Sequence, residues 1–271
     1  MYKVLLLAFV AEALQPKSTT IGGIVPLVGQ DGFLAAVSVP TFACSSLPLI
    51  QSSSPQFKDD MEPLLQQGPA FTLRSLLTRP VCETLIEEFE TTLGFASFQA
   101  GKNHHGALQI VVPEDTCQIL SNALRPFCRE AHEMVGINRR WRVYRYASGT
   151  NQHFAPHIDS AFPPSGHNGR ELVWDISAGT IVSRLTLLIY LNDDFVGGET
   201  NFYSQQGDII ASVRPEAGSC LVFPQAVGEE ALDYARSHWP LHEGSPVRSG
   251  PRPKYVIRSD VMLSWDGISR D

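Results

Sequence analysis

Residues 184–191 read Arg-Leu-Thr-Leu-Leu-Ile-Tyr-Leu, a mostly apolar run that suits a strand buried on both faces. Upstream, residues 141–146 alternate in polarity, so that Arg142, Tyr144 and Tyr146 share one face of a predicted strand. Further strands are predicted at 208–213, 219–223 and 255–261. Many short strands separated by Gly/Pro turns are typical of a sandwich, a barrel or a jelly roll.

Helical patterns precede these strands. Apolar residues recur every four positions over 80–93, which predicts an amphipathic helix. A second helical stretch is predicted over 113–135, where Pro126 must kink or split it. The sequence therefore predicts a mainly β protein with flanking helices (α+β), in which helices over 80–135 come before a β core over 140–265.

The first 65 residues differ from the rest of the chain. They are rich in Ser, Thr, Gly and Pro and nearly free of charge, so we expect an N-terminal targeting or disordered extension and a compact domain over 66–271. A short basic start and the apolar residues 4–11 are compatible with a secretory signal leading to the endoplasmic reticulum; otherwise a cytoplasmic protein is expected. No run approaches the roughly 18 apolar residues of a membrane span, and none is predicted.

Composition narrows the choice of function. The chain has 271 residues, 43% of them apolar, which is enough for the core of one β-rich domain. Its net charge of -7 argues against a nucleic-acid partner, which needs clustered cations. The one local cluster, Arg139, Arg140, Arg142 and Arg145, is expected to be a solvated rim. Five cysteines without a CxxC pair argue against a disulfide scaffold or a zinc site.

A short motif offers metal ligands. On an extended chain His157 and Asp159 project to the same side and can hold one divalent ion. Two histidines and one carboxylate on one face of an octahedron leave three positions open, which is the non-haem Fe(II) arrangement. Among the remaining histidines, His242 stands out because it precedes a strand and a Gly/Pro turn rich in basic residues. A histidine near a barrel mouth is equally compatible with a structural role.

A set of segments in a fixed order resembles a known family. They read YRYASG (144–149), FAPHID (154–159), LTLLIYLN (185–192), GGETNF (197–202) and VRPEAG (213–218), followed by Phe223, HEGSPV (242–247), Gly250, KYVIR (254–258) and Asp260. Together, over roughly residues 70–265, they resemble the prolyl 4-hydroxylase-like branch of the 2-oxoglutarate/Fe(II)-dependent dioxygenase superfamily. The set is far more specific than the His-X-Asp motif alone.

The resemblance implies a double-stranded β-helix (jelly roll) with iron in its open end. It implies that His157, Asp159 and His242 hold the iron. It also implies that Lys254 binds the distal carboxylate of 2-oxoglutarate and that Tyr146 donates a hydrogen bond to the same group. The implied cofactors are Fe(II), 2-oxoglutarate as cosubstrate and O₂, with ascorbate as reductant.

Two departures from the family pattern leave alternatives open. Pro251-Arg252-Pro253 lengthens the interval from His242 to Lys254, and Arg258, four residues further along the strand, can face the same pocket as Lys254. Arg258 is therefore the alternative partner for the carboxylate. The interval between Tyr146 and His157 is also lengthened, so Tyr144, on the same face, is the alternative hydroxyl donor.

The predicted reaction is hydroxylation of an unactivated C–H bond, with release of succinate and CO₂. The family implies a prolyl residue of a peptide or protein, although the same core also serves small-molecule substrates. No catalytic residue is expected beyond the metal centre, and residues 160–179 are expected to border the substrate groove. The alternatives are a cupin-type metal dioxygenase that does not use 2-oxoglutarate and a catalytically silent binding module.

Overall fold

The computed structural model describes residues 21–28, 39–47, 61–63, 70–128, 133–204, 206–226 and 241–264. The strands in this part of the chain are β1 Val25–Pro26, β2 Thr41–Ala43, β3 Met61–Pro63, β4 Phe71–Leu73, β5 Ala96–Ala100, β6 Asn103–Val111, β7 Met134–Ile137, β8 Arg140–Tyr146, β9 Phe154–His157, β10 Gly166–Asn168, β11 Glu171–Val173, β12 Ile181–Tyr190, β13 Val196–Gly197, β14 Thr200–Tyr203, β15 Ile209–Val213, β16 Cys220–Pro224, β17 His242–Gly244, β18 Val247–Ser249 and β19 Lys254–Ser264.

Two α-helices accompany these strands in the described residues. Helix α1, Arg79–Glu88, has Pro80 in its first turn and continues into a π-helical turn, Phe89–Leu93. It ends at Gly94, whose φ of 75° a residue with a Cβ rarely adopts. Helix α2, Glu114–Leu124, is followed by the 3₁₀ turn Arg125–Phe127. The predicted split at Pro126 is confirmed, because the α-helix ends at Leu124 and the proline lies within the 3₁₀ turn that follows. The predicted end of the helical stretch at residue 135 is wrong, because Met134 begins strand β7, which pairs with β19.

One region expected to hold helices contains strands instead. Residues 96–111 form the antiparallel hairpin β5–β6, which turns through Gly101 at φ 58°. The second half of β6 is a short run of buried apolar residues, and such a run does not distinguish a strand from a buried helix by period alone. Pairing with β8 on one side and with β2 on the other decides the outcome.

The large sheet has the strand order β1-β2-β6-β8-β19-β12-β16-β4-β3, with β5 and β7 paired at its side to β6 and β19. Its strands alternate between two apolar environments, as the period of two requires. On β12, Leu185, Leu187 and Ile189 point to an outer cluster that includes residues of both α-helices. The opposite face of β12 carries Tyr190, which belongs to a second, inner cluster. The helices therefore cover the outer face of the sheet.

A small sheet of order β15-β14-β17-β9 covers the inner face. The inner cluster joins Phe202 and Val213 of this sheet to Tyr146, Phe223 and Val256 of the large one. Two facing, mainly antiparallel sheets with an apolar interior and helices outside form a double-stranded β-helix. The predicted fold class, mainly β with flanking helices around a jelly-roll core, is confirmed.

The N-terminal region contributes strands to the same large sheet. β1 and β2 extend the sheet through parallel pairing of β2 with β6, and β3 lies at the opposite edge beside β4. Strands on both sides of residue 66 thus share one sheet, while the division at that residue stays a prediction. The possible signal at residues 4–11 lies outside the described residues. In the part of the chain that the structure describes, no helix is long and apolar enough to cross a membrane.

Candidate metal centre and cosubstrate pocket

Two neighbouring strands of the small sheet bring the predicted histidines together. β17 pairs with β9 so that His242 lies directly opposite His157, and the two ring centroids are 4.3 Å apart. Asp159 follows β9 by two residues, so its side chain projects to the same side as His157. The potential ligand atoms of His157, Asp159 and His242 all lie within 4.8 Å of one another. The structure therefore gathers the three predicted ligands at one point.

Hydrogen bonding orients the first histidine. Nδ1 of His157 lies 2.8 Å from the carbonyl oxygen of Ala155. Because a carbonyl only accepts, Nδ1 carries the hydrogen, and Nε2 is left with a lone pair for a metal ion. Nε2 lies 3.3 Å from the nearer oxygen of Asp159. His242 packs edge-on against Phe223, with centroids 4.6 Å apart, and its Nε2 lies 3.7 Å from the other oxygen of Asp159.

Asp159 is a buried carboxylate with a donor on each oxygen. The Thr186 hydroxyl donates to Oδ2 at 2.6 Å, and Nη1 of Arg258 contacts Oδ1 at 2.9 Å. Burial raises the pKa of Asp159, but the charge of Arg258 and the two histidines lower it, so that it lies well below its usual 3.8. The carboxylate is therefore ionised at neutral pH. An ionised carboxylate beside two imidazole nitrogens is a donor set that fits Fe(II).

A pocket of about 400 Å³, partly open to solvent, extends from this cluster along the inner face of the large sheet. Its floor follows from strand register. Residues paired across β8, β19 and β12 form three successive rows of this floor. The first row is Tyr146–Lys254, the second is Tyr144–Val256–Tyr190, and the third is Arg142–Arg258–Leu188. Apolar Val256 and Leu188 also line the pocket; Val256 lies between Lys254 and Arg258 on β19, and Leu188 lies beside Arg258 on β12. Lys254 and Arg258 both face the pocket, as their spacing on the strand predicts.

Lys254 is a buried ammonium group with little to neutralise it. Its side chain is 2% exposed, and among the described residues its hydrogen-bond acceptor is the carbonyl of Gly198, at 2.7 Å from Nζ. Burial lowers the pKa of Lys254 from 10.5 to about 7, and the charge of Glu199 only partly opposes this. A buried cation that lacks a close carboxylate partner and faces a pocket fits an anionic ligand.

The two candidate tyrosines differ in their surroundings. Tyr146 is buried and lies beside Lys254, whose Nζ is 5.2 Å from the centre of the ring. Burial raises the pKa of Tyr146 well above 10.0, so its hydroxyl keeps its proton and can donate a hydrogen bond. Tyr144 lies one row nearer the metal cluster, between Tyr146 and Arg142 on β8. Tyr146 is therefore the tyrosine beside the unneutralised cation.

Residues beneath the metal cluster were missed by the sequence argument. Gln225 donates to both Thr186, at 3.0 Å, and Asp260, at 2.8 Å, and so links the hydroxyl that contacts Asp159 to a second buried carboxylate. Asp260 is fully buried and accepts a hydrogen bond from Arg142 at 2.7 Å. The alternation of side chains along the predicted strand placed Arg142 on the same face as the pocket tyrosines, and this pattern could have identified Arg142 as a residue near the site. No local signal identified Gln225.

The arginine cluster near residue 140 also differs from expectation. Arg140 is 1% exposed and Arg142 is 5% exposed, so neither belongs to a solvated rim. The guanidinium of Arg140 lies 4.2 Å from the ring centre of Trp174, and that of Arg142 lies 4.6 Å from the ring centre of Phe162. These rings belong to the segment 160–179, which therefore covers two buried cations by cation–π stacking.

The part of the chain that carries this site is similar to a known protein family. Residues 141–259, which contain every predicted site residue, match the model of the 2OG-Fe(II) oxygenase superfamily. No curated protein matches the sequence.

Several solved structures are similar to the chain. The viral collagen prolyl hydroxylase of Paramecium Bursaria Chlorella virus-1, in its 2OG complex, is 20% identical with a TM-score of 0.44, over 73% of this chain and 96% of that chain. A prolyl-4-hydroxylase of Pseudomonas putida is 15% identical with a TM-score of 0.46, over 76% and 96%. An oxidoreductase of the 2OG-Fe(II) oxygenase family from Burkholderia pseudomallei is 15% identical with a TM-score of 0.44, over 78% and 98%.

Proposed function

We propose that this chain, whose residues 141–259 match the model of the 2OG-Fe(II) oxygenase superfamily, hydroxylates an unactivated C–H bond with consumption of 2-oxoglutarate and O₂ and release of succinate and CO₂. The observation that carries the proposal is one pocket with two different ends. At one end lie His157, Asp159 and His242, and at the other lies the buried Lys254.

In this proposal the three clustered side chains hold Fe(II). His157 and His242 supply Nε2, and the Asp159 carboxylate supplies an oxygen and one negative charge. Three ligands leave the other octahedral positions open. The hydrogen bond from Nδ1 of His157 to Ala155 supports the role, because such a contact selects the tautomer and orients the ring.

Lys254 receives the distal carboxylate of 2-oxoglutarate, and Tyr146 donates a hydrogen bond to it. The 2% exposure of Lys254 and its contact with a carbonyl alone support this role, because a buried cation is costly until an anion joins it. Val256, which separates Lys254 from Arg258 on β19, and Leu188, beside Arg258, supply apolar lining that suits the middle of a five-carbon dicarboxylate.

Bound Fe(II) and 2-oxoglutarate together supply the oxidising chemistry, in which oxidative decarboxylation of the cosubstrate drives hydroxylation of the substrate. The residues of this chain bind, orient and shield these groups. Phe154 and Phe202 pack around the two histidines, at 4.2 Å from His157 and 5.9 Å from His242 between ring centres, and exclude water from that side. No side chain is required as a general base, and ascorbate is the proposed reductant.

The proposed substrate is a prolyl residue of a peptide or protein. The support is the order of sequence motifs that resembles the prolyl 4-hydroxylase-like branch. The segment 160–179, which lies over the buried arginines beside Asp159, is the proposed border of the substrate groove.

The test is succinate production by the purified protein with Fe(II), ascorbate and 2-oxoglutarate, with and without a proline-rich peptide. Succinate that rises with peptide, together with hydroxyproline in the peptide by mass spectrometry, is the expected result. Slow peptide-independent succinate would keep the oxygenase and reject that peptide. Absence of succinate from protein with bound iron would overturn the proposal in favour of a metal dioxygenase that does not use 2-oxoglutarate or of a silent binding module.

A further inference from the structure

A row of alternating buried charges leads to the metal cluster. Arg142 contacts Asp260 at 2.7 Å, Arg258 lies 3.8 Å from the other oxygen of Asp260, and Arg258 contacts Asp159 at 2.9 Å. The side chains of these four residues are between 0% and 9% exposed. In so dry a setting each cation is positioned by its carboxylates, because an unpaired buried charge is very unfavourable.

Arg258 and Lys254 are not equivalent, although both face the pocket. Lys254 contacts a carbonyl, whereas the guanidinium of Arg258 is already committed to the carboxylate of Asp159 and flanked by that of Asp260. The face of the Phe162 ring, whose centre is 5.5 Å from the guanidinium carbon, further restricts where Arg258 can move. Among the described residues, Arg258 therefore contacts a carboxylate, whereas Lys254 contacts a carbonyl group.

Both oxygens of Asp159 are held from outside the metal cluster. Arg258 contacts Oδ1 and Thr186 donates to Oδ2, and Thr186 is itself oriented by Gln225. Two donors on two oxygens define the plane of a carboxylate. Each oxygen has a further lone pair, so both contacts are compatible with a metal ion on the side that faces the two histidines.

We infer that Arg258 is a positioning residue, which holds the Asp159 carboxylate in the plane that presents it to the metal ion; the inference rests on the function proposed above. Without Arg258, Oδ1 of Asp159 loses its 2.9 Å donor, and the neighbouring Nε2 of His157, at 3.3 Å, carries a lone pair and offers no hydrogen in its place. The carboxylate is then no longer held in the plane that the two donors define. The planar guanidinium fork suits this task better than an ammonium group, which acts as a point charge.

The test measures Mn(II) affinity by isothermal titration calorimetry in the absence of 2-oxoglutarate, so that no turnover enters the readout. Arg258→Met is expected to weaken Mn(II) binding by about 10- to 100-fold, the range for loss of a residue that orients a metal ligand. Arg258→Lys, which keeps the charge and loses the fork, is expected to recover part of that loss. Because this variant keeps a buried cation, it also provides the test if Arg258→Met does not fold.

Arg140→Met is the matched control. Arg140 is another buried arginine, on β8, and its guanidinium lies 4.2 Å from the ring centre of Trp174, outside the row of charges that leads to Asp159. This variant is expected to lower the unfolding temperature and to keep the wild-type Mn(II) affinity. The Co(II) absorption spectrum, which reports ligand geometry, should change in the Arg258 variants and not in Arg140→Met.

The opposite outcomes are distinct. Wild-type or tighter Mn(II) binding in both Arg258 variants, or an equal loss in Arg140→Met, would overturn the positioning role. So would a loss of 2-oxoglutarate affinity at saturating Mn(II) as large as in Lys254→Met, which would make Arg258 a carboxylate anchor. Asp159→Ala separates the two proposals: if this variant binds Mn(II) as the wild type does, the metal site itself is wrong.

Discussion

Raising the pH is expected to weaken 2-oxoglutarate binding, because the ammonium group proposed to receive its distal carboxylate loses its proton. Burial places the pKa of Lys254 at about 7 in the free protein. With that value, roughly ten elevenths of the molecules carry the charged lysine at about pH 6 and roughly one eleventh at about pH 8. If only the charged form binds the anion, the apparent dissociation constant rises about tenfold across this interval.

The two tyrosines around Lys254 do not titrate in this interval. Tyr146 and Tyr190 face the ammonium group from β8 and β12, with ring centres 5.2 and 5.6 Å from Nζ. Burial raises the pKa of both hydroxyls above 10.0, so both stay protonated. The charge of Glu199 also acts on Lys254 and raises its pKa.

The assay is calorimetric titration of 2-oxoglutarate into protein saturated with Mn(II), at a series of pH values between about 6 and about 9 and constant ionic strength. The control is Lys254→Arg, since a guanidinium stays charged throughout this range and should remove the slope. An affinity that stays constant across the range in the wild type, or an equal slope in Lys254→Arg, would refute the assignment of the carboxylate to Lys254.

Three further results are expected. His157→Ala should abolish both Mn(II) binding and succinate production. His153→Ala, which removes a ring whose Nδ1 lies 2.8 Å from the carbonyl oxygen of Asn151, should preserve both. Wild-type rates in His157→Ala would remove that residue from the ligand set. Thr186→Val deletes the 2.6 Å hydrogen bond to Asp159 and is expected to weaken Mn(II) binding by about tenfold in the same calorimetric titration. The control Thr72→Val, on β4, should leave the Mn(II) affinity unchanged. The pKa of Lys254 is about 7 in the folded protein and near 10.5 in the unfolded chain, so the unfolded chain binds more protons between these values. The metal-free protein should therefore become more stable to thermal unfolding as the pH rises from about 7 to about 9, and Lys254→Met should lose this pH dependence. An unchanged pH dependence in the variant would assign it to another group.

The sequence by itself determined the features that depend on local period and on chain chemistry. Alternation predicted which side chains of β8 face the interior, and Tyr144, Tyr146 and Arg142 do line or border the pocket floor. The mostly apolar run over 184–191 predicted a strand buried on both faces, as β12 is. His157 and Asp159 are two residues apart on an extended segment, so their shared direction needed no knowledge of the fold.

Only the tertiary structure decided which distant residues meet. His242 lies opposite His157 because β17 pairs with β9, a register between strands far apart in sequence that no local pattern encodes. The hairpin β5–β6 became strands because β8 and β2 offered pairing edges, and β1 and β2 joined the same sheet from a segment whose composition predicted disorder. The amino-acid composition of a segment does not show whether a strand edge elsewhere in the fold is available to pair with it, and this pairing is what makes β1 and β2 strands.

The roles of the cations were decided in the same way. In the sequence, Lys254 and Arg258 are two basic residues on one face of a strand, and they differ only in their distance from His242. In the folded protein Arg258 lies beside Asp159 and Asp260, whereas Lys254 lies beside a carbonyl group. The arginines at 140 and 142 were expected in solvent, but they are buried because aromatic rings and the Asp260 carboxylate compensate their desolvation. The sequence therefore determines which residues are charged, but three-dimensional packing determines which partner each charged group contacts and hence what it does.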